Sequence, residues 1–394
     1  MKYNFDEVID RSKFNSKKWN PNIYKSTFNN HEDLLPLWVA DMDFKVAQPI
    51  LDSLEEIVKH GVLGYTAPDD EYFHSIINWN KKRKNCDVKK EWMIYTNGVV
   101  PAISFISQNF VNEDENILIQ TPVYPPFKLI PEANNRKVFI NPLINNNGYY
   151  TVDYEDFEKK IIENNIKIFI LCNPHNPVGR VWKKEELEKM GDICLKYNVL
   201  IISDEIHSDL IFKEHKHTSF LTLDKKYWDN LFVCTAPSKT FNLAGLQTSI
   251  IFVPNENLRK IYQNALGKIR METPNTFGIA GVKAGYLYGE DWLDQVIEYL
   301  DKNRYFIQEF IKKNMPEINY YLPEGTYLAW IDFSKVLKNE EIVEFFEEKA
   351  KIAIDYGDWF GEEGKGYIRL NFACPKSILE EALNRIFDSL KNNK

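Results

Sequence analysis

The sequence predicts an α/β protein: a large domain with a mainly parallel sheet between helices, and a smaller α+β domain assembled from both termini. Two observations carry this expectation. Between residues 92 and 253, short apolar runs such as VLIISDE and LFVCTAPSK alternate with amphipathic stretches of helical period, as βαβ units do. Beyond about residue 255 the pattern turns to long helical segments, then a few strands and a closing helix. The division expected is an N-terminal arm with part of the small domain at 1–44, a large domain at 45–290, and the rest of the small domain at 291–394.

In chain order, residues 1–40 are irregular and lead into LPLWVADMDF, an arm ending in a strand. ILDSLEEIVKHG follows, with apolar residues at 50, 51, 54, 57 and 58 and Gly61 where a helix C-cap is wanted. GYTAP is a loop by its glycine and proline, and 69–84 is a second amphipathic helix. WMIYTNGVVPAISFISQNF reads as strand, glycine turn and helix. ENILIQ and RKVFINPL read as strands, and Asp153 is the N-cap of the helix in YEDFEKKIIENN. KIFILC runs into the loop NPHNPVGR, a helix spans 183–197, and VLIISDE, LFVCTAPSK and TSIIFVP are strands. Helices are expected at 256–270, 276–289 and 291–314. The strand YLAWIDF, a helix near 339–350, the strands KIAIDYG and GYIRLNFACP, and a helix from Pro375 complete the chain.

The totals narrow the function. With 394 residues, 44% hydrophobic and 27% charged, the composition is that of an ordinary globular protein. A net charge of −8 offers no basic footprint for nucleic acid, and KKRK at 81–84 reads as a solvated helix end. No apolar run approaches the ~18 residues of a membrane span, and the first residues lack a signal-like apolar core. The five cysteines (86, 172, 194, 234 and 374) form no CxxC pair, which suits a reducing compartment rather than a disulfide or zinc framework. The expected location is the cytoplasm, without membrane or nucleic-acid partners.

The chemistry concentrates at strand ends. Asp204 and Lys239 each follow an apolar run, so both side chains are carried past the C-terminal edge of a parallel sheet, where open α/β sheets bind ligands. Pyridoxal phosphate (PLP) needs this pair: a lysine for its Schiff base and an acid to keep its ring nitrogen protonated. A lysine behind a buried strand must be paired or chemically used; taken alone, it reads more readily as a surface loop lysine, a reading that recedes beside Asp204 and the neighbouring loops. Around Asp204 a metal site would draw on Glu205, His207, Asp209, His215 and His217, but no ligand spacing such as HExxH is present. His207 is expected instead to orient the Asp204 carboxylate.

Other signals are individually modest. The turn at Asn97, Gly98, Val99 and Val100 opens a helix whose N–H groups suit a phosphate, with Ser238 and Gln247 adding donors. Tyr124 follows a strand end and is placed to stack on a ring, or to pack in the core. Asn176 is a candidate for the cofactor's phenolic oxygen, or a local turn residue. Arg369, flanked by apolar residues in YIRLNF, needs a carboxylate: a substrate's α-carboxylate or a structural partner. Trp38 and Asp41 line the pocket or simply pack.

With these residues in view, the chain resembles the fold-type I PLP enzymes of aminotransferase class I/II, and within them the MalY/PatB-type cystathionine β-lyases. The motifs that carry the resemblance span nearly the whole chain: PLWVADMDF, GYT, TNGVVPAI, TPVYPPF, NPHNPVGRVW, SDEIHSDL, APSKTFNLAGLQ and YIRLNFACP. The resemblance implies a seven-stranded-type sheet and a PLP cofactor. It implies that Lys239 holds the cofactor as an imine, Asp204 binds the pyridine nitrogen, Asn176 the phenolic oxygen, and Tyr124 the ring face. Gly98, Val99 and Ser238 would reach the phosphate, His207 would lie at the cofactor, and Arg369 would take the substrate carboxylate. Tyr65 of GYT would serve the phosphate of a neighbouring subunit, implying a homodimer with shared active sites.

Two departures from the aminotransferase pattern stand out. Many aminotransferases place an arginine eight residues after the lysine, where this chain has Gln247, and a tyrosine three after the aspartate, where it has His207. The first removes a Coulomb partner worth ~4 kcal/mol at close range in an effective dielectric near 20. The activity implied is β-elimination on cystathionine, cysteine or S-substituted cysteines, giving pyruvate, ammonia and a thiol. Transamination shares the early steps, and a PLP-fold regulatory binding protein is a third reading.

Overall fold

The structure, a computed structural model, describes residues 1–392. Seven strands form the central sheet: β1 (Met93–Thr96), β2 (Asn116–Ile119), β3 (Val138–Ile140), β4 (Ile166–Cys172), β5 (Leu200–Asp204), β6 (Leu231–Thr235) and β7 (Ser249–Phe252). Their spatial order is β1-β7-β6-β5-β4-β2-β3. All neighbours are parallel except β7, which runs antiparallel to both β1 and β6. The mainly parallel sheet expected from the alternating apolar runs is therefore present.

These strands are nearly continuous apolar runs because both sheet faces are covered. β4, β5, β6 and β7 are buried at almost every position, including Phe169, Ile170, Ile201, Ile202, Phe232 and Val233. One face packs into a core with Ala102, Ile103, Ile106, Tyr262 and Leu266; the other joins the main core through Leu187, Met190 and Cys194. Helices start where expected: Asp69 accepts a hydrogen bond from the Tyr72 N–H, and Asp153 from the Asp156 N–H. Gly61 closes the helix Gln48–His60 at φ 75°, a left-handed turn that glycine adopts without strain.

A second sheet of four strands belongs to the C-terminal part: β8 (Asn319–Tyr320), β9 (Leu328–Asp332), β10 (Asp355–Tyr356) and β11 (Tyr367–Asn371), in the order β8-β9-β11-β10. The helices Glu290–Asn314 and Lys376–Asn392 pack beside it. The arm reaches this unit, where Leu35 and Pro36 pair in parallel with Ile352 and Ala353. A strap of residues 37–43 then runs between the two sheets. Arg11 and Lys18 hold it by ion pairs, Arg11 to Asp41 at 2.6 Å and to Asp43 at 2.5 Å, Lys18 to Asp43 at 2.7 Å.

Some expectations need correction. The helix near 339–350 is broken: a 3-10 turn at Asn339–Glu341, one α turn at Ile342–Glu344, and a π turn at Phe345–Lys349. KKRK does end a helix, but Lys84 is buried, 3.7 Å from Asp209. His215 and His217, which a metal site would have drawn on, lie in a loop. Among the described residues no helix is long and apolar enough to cross a membrane. All five cysteines are buried and free.

Candidate active site

A cavity of about 340 Å³ opens at the C-terminal ends of β4, β5 and β6, between the central sheet and the strap. Parallel strands end here with their loops turned outward, so side chains just past each strand converge. The cavity is lined by Gly98, Val99, Tyr124, Asn176, Asp204, His207, Ser238, Lys239 and Arg369. Nine of the ten residues to which the resemblance gives a role therefore share one hollow. A roomier cleft of about 840 Å³ between Tyr320, Tyr321 and Trp330 contains none of them.

Asp204 is the last residue of β5, opposite Cys172 on one side and Cys234 on the other. It is buried and accepts a hydrogen bond from the Ile206 N–H at 3.0 Å. Burial pushes its carboxyl up to about 7, against the pull of that N–H and of Lys239. Lys239 sits in the short helix Pro237–Thr240 that follows β6, and its Nζ donates to the Ala40 carbonyl of the strap at 2.6 Å. Burial brings the amine down to about 8; Asp41 pulls it up and Arg369 pushes it further down. The Tyr327 hydroxyl donates to the same carbonyl at 2.8 Å.

Arg369, in the middle of β11, is buried, with its guanidinium 4.9 Å from the Phe360 ring centroid. Its Nε donates to Asp355 Oδ2 at 2.9 Å, and Nη2 reaches the same oxygen. Nη1 donates to Asn176 Oδ1 at 3.0 Å and Nη2 to the Trp38 carbonyl at 3.2 Å. Asp355 faces Arg369 directly across the β10–β11 pairing. Asn176 belongs to the loop after β4, shaped by cis prolines at 174 and 177, and its carbonyl accepts from the Tyr124 N–H at 3.1 Å. Burial holds the Tyr124 hydroxyl above its ordinary range, so it stays protonated.

Gly98 caps the helix Val99–Asn109 at φ 147°, where an added Cβ would lie 3.2 Å from Pro101 Cδ. The first N–H groups of that helix face the cavity without side-chain capping, an arrangement suited to an anion. Ser238, Gln247 and Thr248 also line the cavity.

His207 lines the cavity but does not orient Asp204 as expected. Its ring stands edge-on to Tyr327 at 5.9 Å, and its Nδ1 is buried without a hydrogen-bond partner. Burial, reinforced by Lys239 and Arg369, pushes it well below the usual histidine range, so it is neutral. Glu205 turns away to bond His217 at 3.0 Å and the Phe220 N–H at 2.8 Å. Tyr65 is fully exposed and does not reach this cavity. Trp38 lines it; Asp41 is engaged by Arg11. Sequence reasoning missed Asp355, Lys17 and the Ala40 carbonyl. A lone carboxylate inside the apolar run IAIDYG was a usable signal for the first.

Similar proteins share this architecture. The family model "Aminotransferase class I and II" matches residues 32–386. The cystathionine beta-lyase PatB of Bacillus subtilis is 38% identical, over 97% of this chain and 98% of its own. Cystalysin from Treponema denticola, solved with pyridoxal 5'-phosphate, superposes with a TM-score of 0.96 at 38% identity over 100% of both chains. A PLP-bound C-S lyase from Staphylococcus hominis gives 0.92 at 34% identity, over 99% of this chain and 98% of its own. With a family match that spans most of its length, this chain belongs to the class I and II aminotransferases, in the branch of the MalY/PatB-type cystathionine β-lyases.

Proposed function

We propose that this protein is a PLP-dependent carbon–sulfur β-lyase acting on L-cystathionine, L-cysteine or S-substituted cysteines. The observation that carries the reading is one cavity holding a depressed-pKa lysine, a buried carboxyl and a carboxylate-sized arginine. The donor set fits the cofactor. A buried carboxyl with one backbone donor gains from a cationic ring N–H, and an uncapped helix start opened by glycine gains from a phosphate.

In this reading Asp204 takes the ring nitrogen, Tyr124 the ring face, and Asn176 the phenolic oxygen. Gly98, Val99 and Ser238 hold the phosphate, with His207 a neutral wall beside the ring. When bound, PLP supplies an electron sink that lets a proton leave the substrate Cα and a thiolate leave Cβ. Arg369 anchors the α-carboxylate and thereby fixes which Cα substituent faces Lys239. Lys239, neutral in a substantial fraction near pH 8, takes the Cα proton, which the departing thiolate then carries away as the thiol. Hydrolysis of the remaining fragment yields pyruvate and ammonia beside the thiol.

Tyr65 belongs to a second copy's site in this reading. Val58, Val62, Leu63 and Tyr65 are each exposed on and after the helix Gln48–His60, apolar side chains that a homodimer would cover. The buried free cysteines suit the cytoplasm.

The test is product analysis with cystathionine or cysteine and no keto acid. Catalytic pyruvate and thiol are expected. Product that forms only when a keto acid is added overturns the lyase in favour of transamination. Lys239→Ala should be colourless and inactive; a yellow, active variant refutes the assignment of Lys239.

A further inference from the structure

Arg369 has a partner that the reading above does not use. Of the five N–H groups a guanidinium offers, four are engaged: two on Asp355, one on Asn176 Oδ1 and one on the Trp38 carbonyl. The acceptors differ in kind. Asn176 and Trp38 present neutral oxygens to the Nη1/Nη2 end, which an incoming carboxylate displaces readily because its charge makes it the stronger acceptor. Asp355 is an anion on the Nε/Nη2 side. It is buried, as Arg369 is, and the β10–β11 register holds it opposite the arginine.

We propose that Asp355 is a counter-charge that sets the grip of Arg369 on carboxylates, so that the α-carboxylate is aligned at the free end of the guanidinium yet released after turnover. The inference rests on Arg369 being the substrate's carboxylate anchor. Two carboxylates on adjacent edges of one buried guanidinium repel each other in a medium far less polar than water. The product of the reaction keeps the carboxylate that the substrate brought, so an arginine without its counter-charge would hold both. Arg369 and Asp355 make the carboxylate end of the cavity close to neutral before anything binds. Lys17 also lines the cavity and acts on Asp355 as a further positive charge.

The charge and the geometry are separable. Asp355→Asn keeps an oxygen for Nε and Nη2 but removes the charge, and Asp355→Ser removes the same charge with a smaller side chain. The probe is 3-(methylthio)propionate, a thioether carboxylate with no amine, titrated calorimetrically into the holoenzyme; its amide is the neutral control. Both variants should bind the carboxylate about tenfold tighter or more, with binding of the amide unchanged and kcat lowered together with KM. Damage to the site loosens ligands, so tightening is not a structural side effect. Unchanged or weaker carboxylate binding in the variants, with Arg369→Lys still losing it, overturns the counter-charge and leaves the anchor intact. Carboxylate binding indifferent to Arg369→Lys overturns both.

Discussion

At the residue scale the site is governed by how burial treats charge. Asp204 has a folded-state pKa of about 7, above the ordinary 3.8, so the folded protein binds its proton more tightly than the unfolded chain does. The stability this contributes is fully present below about pH 4 and is lost as pH rises through about 7. Above that, the cofactor-free protein carries a buried anion without a cation in hydrogen-bond contact. Asp204→Asn should therefore stabilise the cofactor-free protein by about 1–3 kcal/mol at pH 8 and by much less at pH 4. Thermal melts at the two pH values check this. The same variant should bind PLP at least tenfold more weakly, because an amide cannot hold a protonated ring nitrogen by charge. Most of these residues were legible in sequence because charge behind an apolar strand is expensive and so demands a reason. Asp355 was not picked out, since its reason is Arg369, a neighbour only once β10 and β11 pair. His207 went astray for a related cause: three residues after Asp204 places it near the carboxylate, but the loop turns its ring onto Tyr327 instead.

At the scale of elements, the glycine turn between β1 and the helix Val99–Asn109 brings N–H groups to the cavity. Gly98→Ala must accommodate φ 147° and a Cβ 3.2 Å from Pro101 Cδ. Strain of ~1–3 kcal/mol at that turn should appear mainly as a roughly tenfold or greater rise in the PLP dissociation constant, read by fluorescence titration. A second close approach locks the segment after β10: a Cβ on Gly364 would lie within 2 Å of the Gly357 carbonyl oxygen. Gly364→Ala has no flexible side chain to push aside, so a loss of about 2 kcal/mol or more is expected in urea unfolding. The long elements were readable because their periods are strong and their caps carry chemistry. The π turn at Phe345–Lys349 and the short Ile144–Asn146 and Tyr149–Thr151 hairpin were not, because tertiary packing and not local preference decides them.

On the scale of the whole molecule, the proposed homodimer would place a second copy over the exposed side chains of Val58, Val62 and Leu63. Val62→Glu combined with Leu63→Glu should shift the protein from dimer to monomer in sedimentation and weaken cofactor retention, because Tyr65 would lose its target. A monomer in the unmodified protein would remove the shared site. The class of fold was legible because alternating runs dictate βαβ units; these exposed side chains were not, because exposure is a property of the finished shape. The strap at 37–43 has a consequence of its own. Its carbonyls receive Lys239 at Ala40, Arg369 at Trp38 and Asn371 at Val39 and Asp41, while Arg11 and Lys18 pin it from the arm. It thus works as a shim. The amine of Lys239 and the guanidinium of Arg369 rest on carbonyls two residues apart in it, so residues remote in sequence from both hold these two groups in register.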